Sequence, residues 1–323
     1  MGKIKITVFA DPVCTWCWGS VPVLRALEFR LGENVEVDYV MGGMIEDITK
    51  FSNRRLGIGG DIALSNRNMH KAWVDASAVH GMPVCEQGIH LFSEEHRSTA
   101  PQNMAYIAAK IYAEKVADKG VSPKKFLRRL QEATAVDAAL TCDPDVITDL
   151  AAVEGFEPAR LAEIMRSREV QRRYEEDKEK CRHYEVQTFP TYLLVYKGVE
   201  LMLRGFTSYD TMVQNIKQLS YGKIAPCEEL RLKPGPENVE RFIEKYGNVY
   251  PVEIATAFAL QRISGKSALN IESYVGLPDI VDELVREGRI LIRPRGNGFV
   301  LYAKKHYEGR PVEVNEVSAD RGF

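Results

Sequence analysis

Alternating polar and apolar residues at the start of the chain predict a β-strand over residues 3–9, where β-branched side chains are frequent. Residues 10–13 predict a turn, because Pro12 cannot donate a hydrogen bond within a sheet. Apolar residues then recur at steps of three and four, which predicts an amphipathic helix from about 16 to 31. A second alternating segment over 35–40 predicts another strand, so this part of the chain predicts a βαβ unit.

Two cysteines, Cys14 and Cys17, lie where the predicted helix begins. Side chains three positions apart on a helix share a face, with Cβ atoms about 5–6 Å apart, so two thiols can form and release a disulfide with little backbone movement. The unpaired N–H groups and the dipole at a helix N-terminus favour a thiolate on the first of them. A CxxC inside a βαβ unit is typical of thioredoxin-like redox proteins. We therefore predict a thiol–disulfide exchange site.

Zinc binding is the alternative for a CxxC, but it requires a second pair of ligands with similar spacing. The other four cysteines are isolated, and no HxxxH or CxxH pattern accompanies them: Cys85, Cys142, Cys181 and Cys227. No metal site is therefore predicted. We interpret Cys142 and Cys181 as buried unpaired thiols rather than a second redox pair, since free cysteine is among the most buried residue types. Cys85 has the same interpretation, and Cys227 falls in a predicted exposed linker.

A second motif, Phe189-Pro190-Thr191, precedes an apolar segment over 192–196 that predicts a strand. A turn, a further strand and a helix over about 208–220 follow it. A proline in this place can simply mark the entry to a strand. In a thioredoxin fold, however, a cis-proline faces the CxxC at this point, and the backbone beside it binds extended substrate as an added strand.

Between about 52 and 182 the hydrophobic spacing is helical, and its last part, about 158–182, is heavily charged. Such a helical insertion would cap the redox site and shape the groove for substrate. Residues 223–236 contain several prolines and glycines and predict a linker. Over 237–323 the pattern predicts three helices and a β-hairpin, in an order that resembles a winged helix.

The third of these C-terminal helices is acidic, so nucleic-acid phosphates would repel it. The helix contains one arginine and four carboxylates: Asp279, Asp282, Glu283 and Glu287. The arginines of the hairpin keep a nucleic-acid contact open: Arg289, Arg293 and Arg295. We favour a protein-interaction or dimerisation role for this segment over DNA binding.

The composition and the distribution of apolar segments indicate the compartment and the classes of partner to expect. The 323 residues are 27% charged and 45% hydrophobic with a formal net charge of −2, which is ordinary for soluble proteins and gives no electrostatic case for nucleic acid or anionic membrane. No signal peptide precedes the first strand, and no segment approaches the roughly 18 apolar residues of a membrane span. We predict a cytoplasmic protein without a bound cofactor. Its disulfide would be transient, and an external reductant, glutathione or a thioredoxin system, would recycle it.

The segment over 11–19, DPVCTWCWG, resembles the D-P-x-C-x-W-C-x-G signature of DsbA-like proteins of the FrnE and YjbH type. The resemblance extends over about residues 1–222 and includes the loop at Pro190. It implies a thioredoxin-like, DsbA-type α/β fold with an all-helical domain inserted between the second and third strands. By the same resemblance Cys14 is the attacking thiol, Cys17 the resolving thiol and Pro190 the cis-proline.

Further side chains near these motifs are candidates for contact with substrate. Phe189 precedes the predicted cis-proline, and Trp16 and Trp18 could lie at the rim of the site, although core packing is an equal alternative for each. Asp11 could assist proton transfer from Cys17, but a turn-forming or N-capping role is favoured.

Together these features predict a cytoplasmic thiol–disulfide oxidoreductase or protein disulfide isomerase that acts on thiol- or disulfide-containing proteins. Thr15-Trp16 separates the cysteines where periplasmic oxidases have Pro-His, so strong oxidising power is not assumed. The alternative is a redox-sensitive adaptor that presents clients to a protease, as YjbH relatives do. A glutathione-linked enzyme for small molecules usually has a single nucleophile, and the intact CxxC argues against it. The acidic third helix disfavours a redox-controlled DNA-binding protein.

Overall fold

The computed structural model of the protein describes residues 2–116, 120–226 and 233–304. A four-stranded sheet in the order β2-β1-β3-β4 forms its centre. The strands are Ile4–Ala10 (β1), Val35–Met41 (β2), Thr191–Tyr196 (β3) and Val199–Arg204 (β4). β1 is parallel to β2 and antiparallel to β3, and β4 is antiparallel to β3. The sheet is therefore the predicted βαβ unit followed by a β-hairpin.

Apolar residues lie on both faces of the central sheet, as in sheets that helices cover on both sides. On one face Ile6 and Val8 belong to the same core cluster as Leu27 of the helix that follows β1. On the other face Phe9 packs in a smaller cluster with Cys181. The carboxyl end of β1, which leads into the cysteine motif, is therefore held from both sides.

The single helix predicted after the first strand is two helices, Thr15–Gly19 (α1) and Val21–Leu31 (α2), which meet at Ser20. Pro22 explains the break, because it has no N–H to donate to the residue four positions earlier and its ring disfavours a continuous helix. The Ser20 hydroxyl donates to the carbonyl oxygen of Trp16 at 2.7 Å. The cysteine motif thus lies at a short helix that is separate from α2.

Within the described residues, six helices lie between β2 and β3, where the sequence predicts a helical insertion. They are Ile62–His80 (α3), Ala100–Lys115 (α4), Pro123–Ala135 (α5), Pro144–Val153 (α6), Pro158–Met165 (α7) and Arg168–His183 (α8). Two details differ from the prediction. Residues 81–99 are not helical, because Gly81 ends α3 in the left-handed conformation. The charged segment is divided at Ser167, whose hydroxyl accepts the Val170 N–H and begins α8.

No helix in the described ranges combines the length and the apolar character that crossing a bilayer requires.

The helix after β4 is Tyr209–Leu219 (α9) and corresponds to the helix predicted over about 208–220. Residues 227–232 of the predicted linker, with Cys227, lie outside the described residues.

Residues 236–303, the C-terminal module, contain the predicted three α-helices and β-hairpin. The elements are Pro236–Tyr246 (α10), Asn248–Val249 (β5), Pro251–Phe258 (α11), Leu277–Arg286 (α12), Ile290–Arg295 (β6) and Gly298–Ala303 (β7). The short strand β5 extends the hairpin to a three-stranded antiparallel sheet in the order β5-β7-β6. The resemblance of this module to a winged helix stays a prediction.

The C-terminal module packs directly against α2. The ring of Phe29 lies against those of Phe242 and Phe258, with centroids 5.1 and 5.5 Å away. Arg25, one turn earlier on α2, donates to a carboxyl oxygen of Glu253 at 2.7 Å, and Glu253 is fully buried. Apolar contacts and a buried ion pair therefore join the module to the helix that follows the cysteine motif.

Two of the hairpin arginines considered for nucleic-acid contact have carboxylate partners within the molecule. Arg289 forms ion pairs with Glu240 and Glu287. Arg295 donates to both carboxyl oxygens of Asp137 at 2.8 Å. These pairs reduce the positive charge that the hairpin presents to a phosphate backbone.

Candidate active site

The junction after β1 places Cys14 at the N-cap of α1 and Cys17 within that helix. The Cys14 N–H donates to the carbonyl oxygen of Asp11 at 3.0 Å, and the Cys14 carbonyl accepts from the Trp18 N–H at 3.0 Å. The backbone of Cys14 is therefore fixed on both sides. The cysteine side chains are 6% and 4% exposed, and both are free thiols. The predicted location of the CxxC at a helix N-terminus is confirmed.

The loop before β3 faces Cys14 across the site. The Phe189–Pro190 peptide bond is cis, as predicted, and Pro190 is buried. The Cys14 Sγ lies 3.5 Å from the carbonyl oxygen of Phe189 and donates to it. Thr191, the next residue, pairs with Phe9 at the end of β1. The sheet register thus brings together two motifs that are far apart in the sequence.

Gly42 makes room for the Phe189 side chain. A Cβ atom at Gly42 would overlap Cζ and Cε1 of the Phe189 ring. We expect Gly42→Ala to displace this ring, to cost about 1–3 kcal/mol of unfolding free energy and to slow disulfide exchange by moving the loop beside Cys14. Urea unfolding and an exchange assay measure the two effects. Gly235→Ala, at a glycine with open space around it at the N-cap of α10, is the matched control: it should leave disulfide exchange unchanged and cost less than about 1 kcal/mol of unfolding free energy.

Cys17 is a buried thiol whose ionisation is strongly disfavoured. Burial raises its pKa well above the ordinary range, and the hydrogen bond with Cys14 acts in the same direction. Cys17 is therefore protonated at neutral pH. A thiol in this state does not compete with Cys14 for an incoming disulfide.

The Asp11 carboxyl is fully buried and accepts four hydrogen bonds. Its Oδ1 accepts the Val13 N–H at 2.9 Å, and its Oδ2 accepts the Met44 N–H at 2.6 Å and the side chains of Thr99 and Asn103, each at 2.9 Å. Burial raises the pKa of Asp11, while these hydrogen bonds favour the carboxylate. The contacts join the turn before the cysteines to the loop after β2 and to α4, which supports the turn-forming role.

The two tryptophans of the motif occupy different environments. Trp18 is 1% exposed, and its indole N–H donates to the carbonyl oxygen of Pro83 at 2.8 Å. Of the two alternatives for Trp18, core packing therefore holds and contact with substrate at the rim does not, because the indole ring is enclosed in the core. Trp16 is half-buried and lies against the rings of His80 and Phe206 at 5.8 and 5.7 Å, so it stays a candidate for the rim of the site.

His80, the last residue of α3, is a site residue that the sequence patterns do not single out. Its ring is 4% exposed and lies beside Gly19, where a Cβ atom would overlap the imidazole. Its Nε2 lies 3.4 Å from the Thr15 hydroxyl oxygen. Burial lowers the pKa of His80 to about 3, so the imidazole is neutral at neutral pH. The glycine after Trp18 is the one local signal of this close approach.

The pairing of a CxxC at a helix N-terminus with a facing cis-proline agrees with a comparison against protein families. The family model described as thioredoxin matches residues 8–214, which include Cys14, Cys17 and Pro190. The chain belongs to the thioredoxin family. The predicted thioredoxin-like fold is thereby confirmed, together with its helical segment between the second and third strands.

Among curated proteins, this thioredoxin-family chain is similar to the ClpXP adapter protein SpxH of Halalkalibacterium halodurans. The two are 23% identical over 264 residues, which cover 80% of this chain and 79% of that protein. The similarity thus includes more of the chain than the 207 residues of the thioredoxin match.

Two solved structures share the fold. One is a Nitrosomonas europaea protein provisionally assigned as a protein disulfide isomerase, with a TM-score of 0.54, 17% identity, and coverage of 68% of this chain and 99% of that one. The other is the Streptomyces coelicolor protein SCO1869, provisionally assigned as a DsbA oxidoreductase, with a TM-score of 0.50, 14% identity, and coverage of 70% and 94%. The chain therefore has a DsbA-like thioredoxin fold.

The remaining described cysteines of this thioredoxin fold are buried free thiols. The Cys142 thiol donates to the carbonyl oxygen of Leu91 at 3.1 Å, and burial raises its pKa to about 12. Cys181 lies in the cluster with Phe9, and burial likewise raises its pKa to about 12. Cys85 is also a buried free thiol. These environments support the interpretation of inert core thiols.

A cavity of about 90 Å³ lies between α2, α5 and α10, and neither cysteine of the CxxC lines it. Its walls carry charges of both signs, among them Arg25, Arg129, Glu132 and Lys245.

Within the described ranges, no group of three His, Cys, Asp or Glu side chains is placed to hold a metal ion.

Proposed function

We propose that the protein is a cytoplasmic thiol–disulfide oxidoreductase that acts on protein disulfides through Cys14 and Cys17. The observation that carries the proposal is the position of the Cys14 sulfur, 3.5 Å from the Phe189 carbonyl beside the cis bond to Pro190. A substrate strand that adds to this loop would present its disulfide to Cys14. The half-buried ring of Trp16 would line the rim of the site.

In the reducing direction, the Cys14 thiolate attacks one sulfur of the substrate disulfide. That S–S bond breaks, a mixed disulfide with Cys14 forms, and the released substrate sulfur takes a proton. Cys17 then loses its proton and attacks the Cys14 sulfur, which releases the second substrate thiol and leaves a Cys14–Cys17 disulfide. Two electrons and two protons pass to the substrate. An external thiol, glutathione or a thioredoxin system, returns the pair to the dithiol, and the reverse sequence oxidises or isomerises a client.

The direction of electron flow is tested by the reduction potential of the Cys14–Cys17 pair, measured by equilibration in glutathione buffers, with insulin reduction assayed beside it. We expect a potential of about −250 mV or lower and measurable turnover, in the range of thioredoxin-like reductants. A potential near about −120 mV would instead identify an oxidant. A pair that forms no reversible disulfide and shows no turnover would contradict the enzymatic proposal.

A redox-sensitive adaptor is the second candidate function, and the similarity to the ClpXP adapter SpxH favours it. In that case the C-terminal module or the helical segment would bind a protein partner, and the cysteines would only tune the affinity. The double variant Cys14→Ser, Cys17→Ser distinguishes the two functions. An adaptor retains binding to its partner without the cysteines, whereas the proposed oxidoreductase loses all exchange activity.

A further inference from the structure

The segment His80–Val84 contacts the short helix that carries the cysteines. From this segment the His80 ring packs against Gly19, and the carbonyl oxygen of Pro83 accepts the Trp18 indole N–H at 2.8 Å. The same imidazole lies edge-on to Trp16, with centroids 5.8 Å apart. Because α1 has only five residues, these contacts hold most of its length.

The hydrogen bonds of His80 define its tautomer. The Met82 N–H donates to Nδ1 at 3.0 Å, so in the neutral ring the proton is on Nε2. Nε2 lies 3.4 Å from the Thr15 hydroxyl oxygen, which accepts from it. The hydroxyl hydrogen of Thr15 then points away from the imidazole. Thr15 is the first residue of α1 and directly follows Cys14.

We propose that His80 is a positioning residue for Cys14: through the Thr15 hydroxyl and the contact with Gly19, it fixes the first turn of α1 and with it the position of the Cys14 sulfur beside the Phe189 carbonyl. This inference rests on the proposed exchange function and adds a residue to its site. A reacting group that is held in one geometry reacts faster than one that moves among several. A loosened α1 would hold the Cys14 sulfur less well.

A role of His80 as the base that deprotonates Cys14 does not fit these contacts. Its Nδ1 lone pair already accepts from Met82, and Nε2 carries a hydrogen. The ring is held neutral by burial and would have to give up the Met82 contact to take a proton. Positioning through Thr15 requires neither change.

The C-terminal module holds the same segment from its other side. The Asn297 N–H donates to the carbonyl oxygen of Val84 at 2.9 Å, and the Val84 N–H donates to the Asn297 side-chain oxygen at 2.9 Å. At the adjacent Gly296, a Cβ atom would overlap the Val84 carbonyl oxygen. The tip of the β6–β7 hairpin therefore limits how far the segment that carries His80 can move.

The test measures the alkylation rate of Cys14 by iodoacetamide between pH 6 and 9 in the reduced full-length protein, with the modified peptide identified by mass spectrometry. We expect His80→Leu and Thr15→Val each to lower this rate at pH 7 by about fivefold, in the range of one lost hydrogen bond. Their effects should not add in the double variant, because both act through one contact. His80→Gln retains a donor and should stay within about twofold of the unsubstituted protein.

His70→Leu is the matched control, because His70 lies on the same helix and bonds to the carbonyl oxygen of Cys85 rather than to α1. It should leave the Cys14 rate unchanged. The inference is overturned if folded His80→Leu or Thr15→Val matches the unsubstituted rate, if their effects add, or if His70→Leu slows the reaction equally. If His80→Leu does not fold, the Cys14 alkylation rates of Thr15→Val and His80→Gln decide whether the inference holds.

Insulin reduction, assayed beside the alkylation, separates this inference from the proposed function. If the unsubstituted protein forms no reversible Cys14–Cys17 disulfide and reduces no insulin, the proposed function itself is contradicted. If Cys14 reacts fast but is indifferent to both substitutions, the function stands and the role of His80 is rejected.

Discussion

Replacing Cys14 with serine is expected to lower the rate of insulin disulfide reduction by at least about a thousandfold, because a serine hydroxyl is not ionised at neutral pH and cannot form the mixed disulfide. Cys17→Ser should give a different outcome. Cys14 can still attack, but nothing resolves the product, so a covalent complex between Cys14 and the substrate should accumulate. Non-reducing gels and peptide mass spectrometry detect it.

Cys142→Ser is the matched control for both variants. The Cys142 thiol is buried, donates to Leu91, and has a pKa raised by burial to about 12, so it contributes no nucleophile. Its replacement should leave the exchange rate within about twofold. Exchange that persists in Cys14→Ser, or that disappears in a folded Cys142→Ser protein, would reject Cys14 as the attacking thiol.

Glu132→Gln is expected to destabilise the fold by about 3 kcal/mol, because it removes one of the two carboxylates that neutralise Arg129 and Arg295 and leaves only Asp137. Glu132 is 2% exposed and accepts from the Tyr250 hydroxyl at 2.6 Å and from the Asn248 side chain at 2.7 Å. Its carboxyl also pairs with Arg129 at 3.3 Å and with Arg295 at 3.7 Å. Urea unfolding at pH 7 measures the loss. Glu176→Gln, in an ion pair with half of its side chain exposed, should cost less than about 1 kcal/mol.

This stabilisation should also depend on pH. Burial alone would raise the pKa of Glu132, but the surrounding arginines and the Tyr250 hydroxyl outweigh it and hold the pKa far below the ordinary range. The unfolded carboxyl therefore binds a proton before the folded one does. The contribution of Glu132 is complete above about pH 4.5 and is lost as the pH falls, so the difference between the protein and Glu132→Gln should shrink on acidification. A difference that is constant from pH 7 to 3 would contradict this assignment.

Local patterns in the sequence predict the parts of the site that depend on neighbouring residues. The strands, the helix start at Cys14 and the loop at Pro190 follow from alternation, spacing and proline chemistry. The break at Ser20 has a local cause in Pro22, but an apolar stripe continues across it and predicts one helix. On the short helix α1, Trp18 lies in the core and Trp16 is half-buried.

Long-range packing accounts for what the patterns do not predict. Nothing near His80 in the sequence indicates that its ring will contact Thr15, since the contact depends on how α3 crosses α1. Nor does any periodicity indicate that Glu132 on α5 will bind Tyr250 of the C-terminal module. Such contacts between polar groups distant in sequence carry no repeating signature, and tertiary geometry alone selects them.

The buried contacts between the C-terminal module and helices α1 and α2 have a consequence for the stability of the thioredoxin domain. The Nitrosomonas europaea structure is covered over 99% of its length by 68% of this chain, so there the fold stands without such an addition. Here the Arg128 guanidinium lies over the Trp18 ring at 4.1 Å and close to Tyr250 of the module. Excision of the module would expose that stack and the apolar face around Phe29. Removal of the C-terminal module should therefore destabilise the thioredoxin domain of this chain.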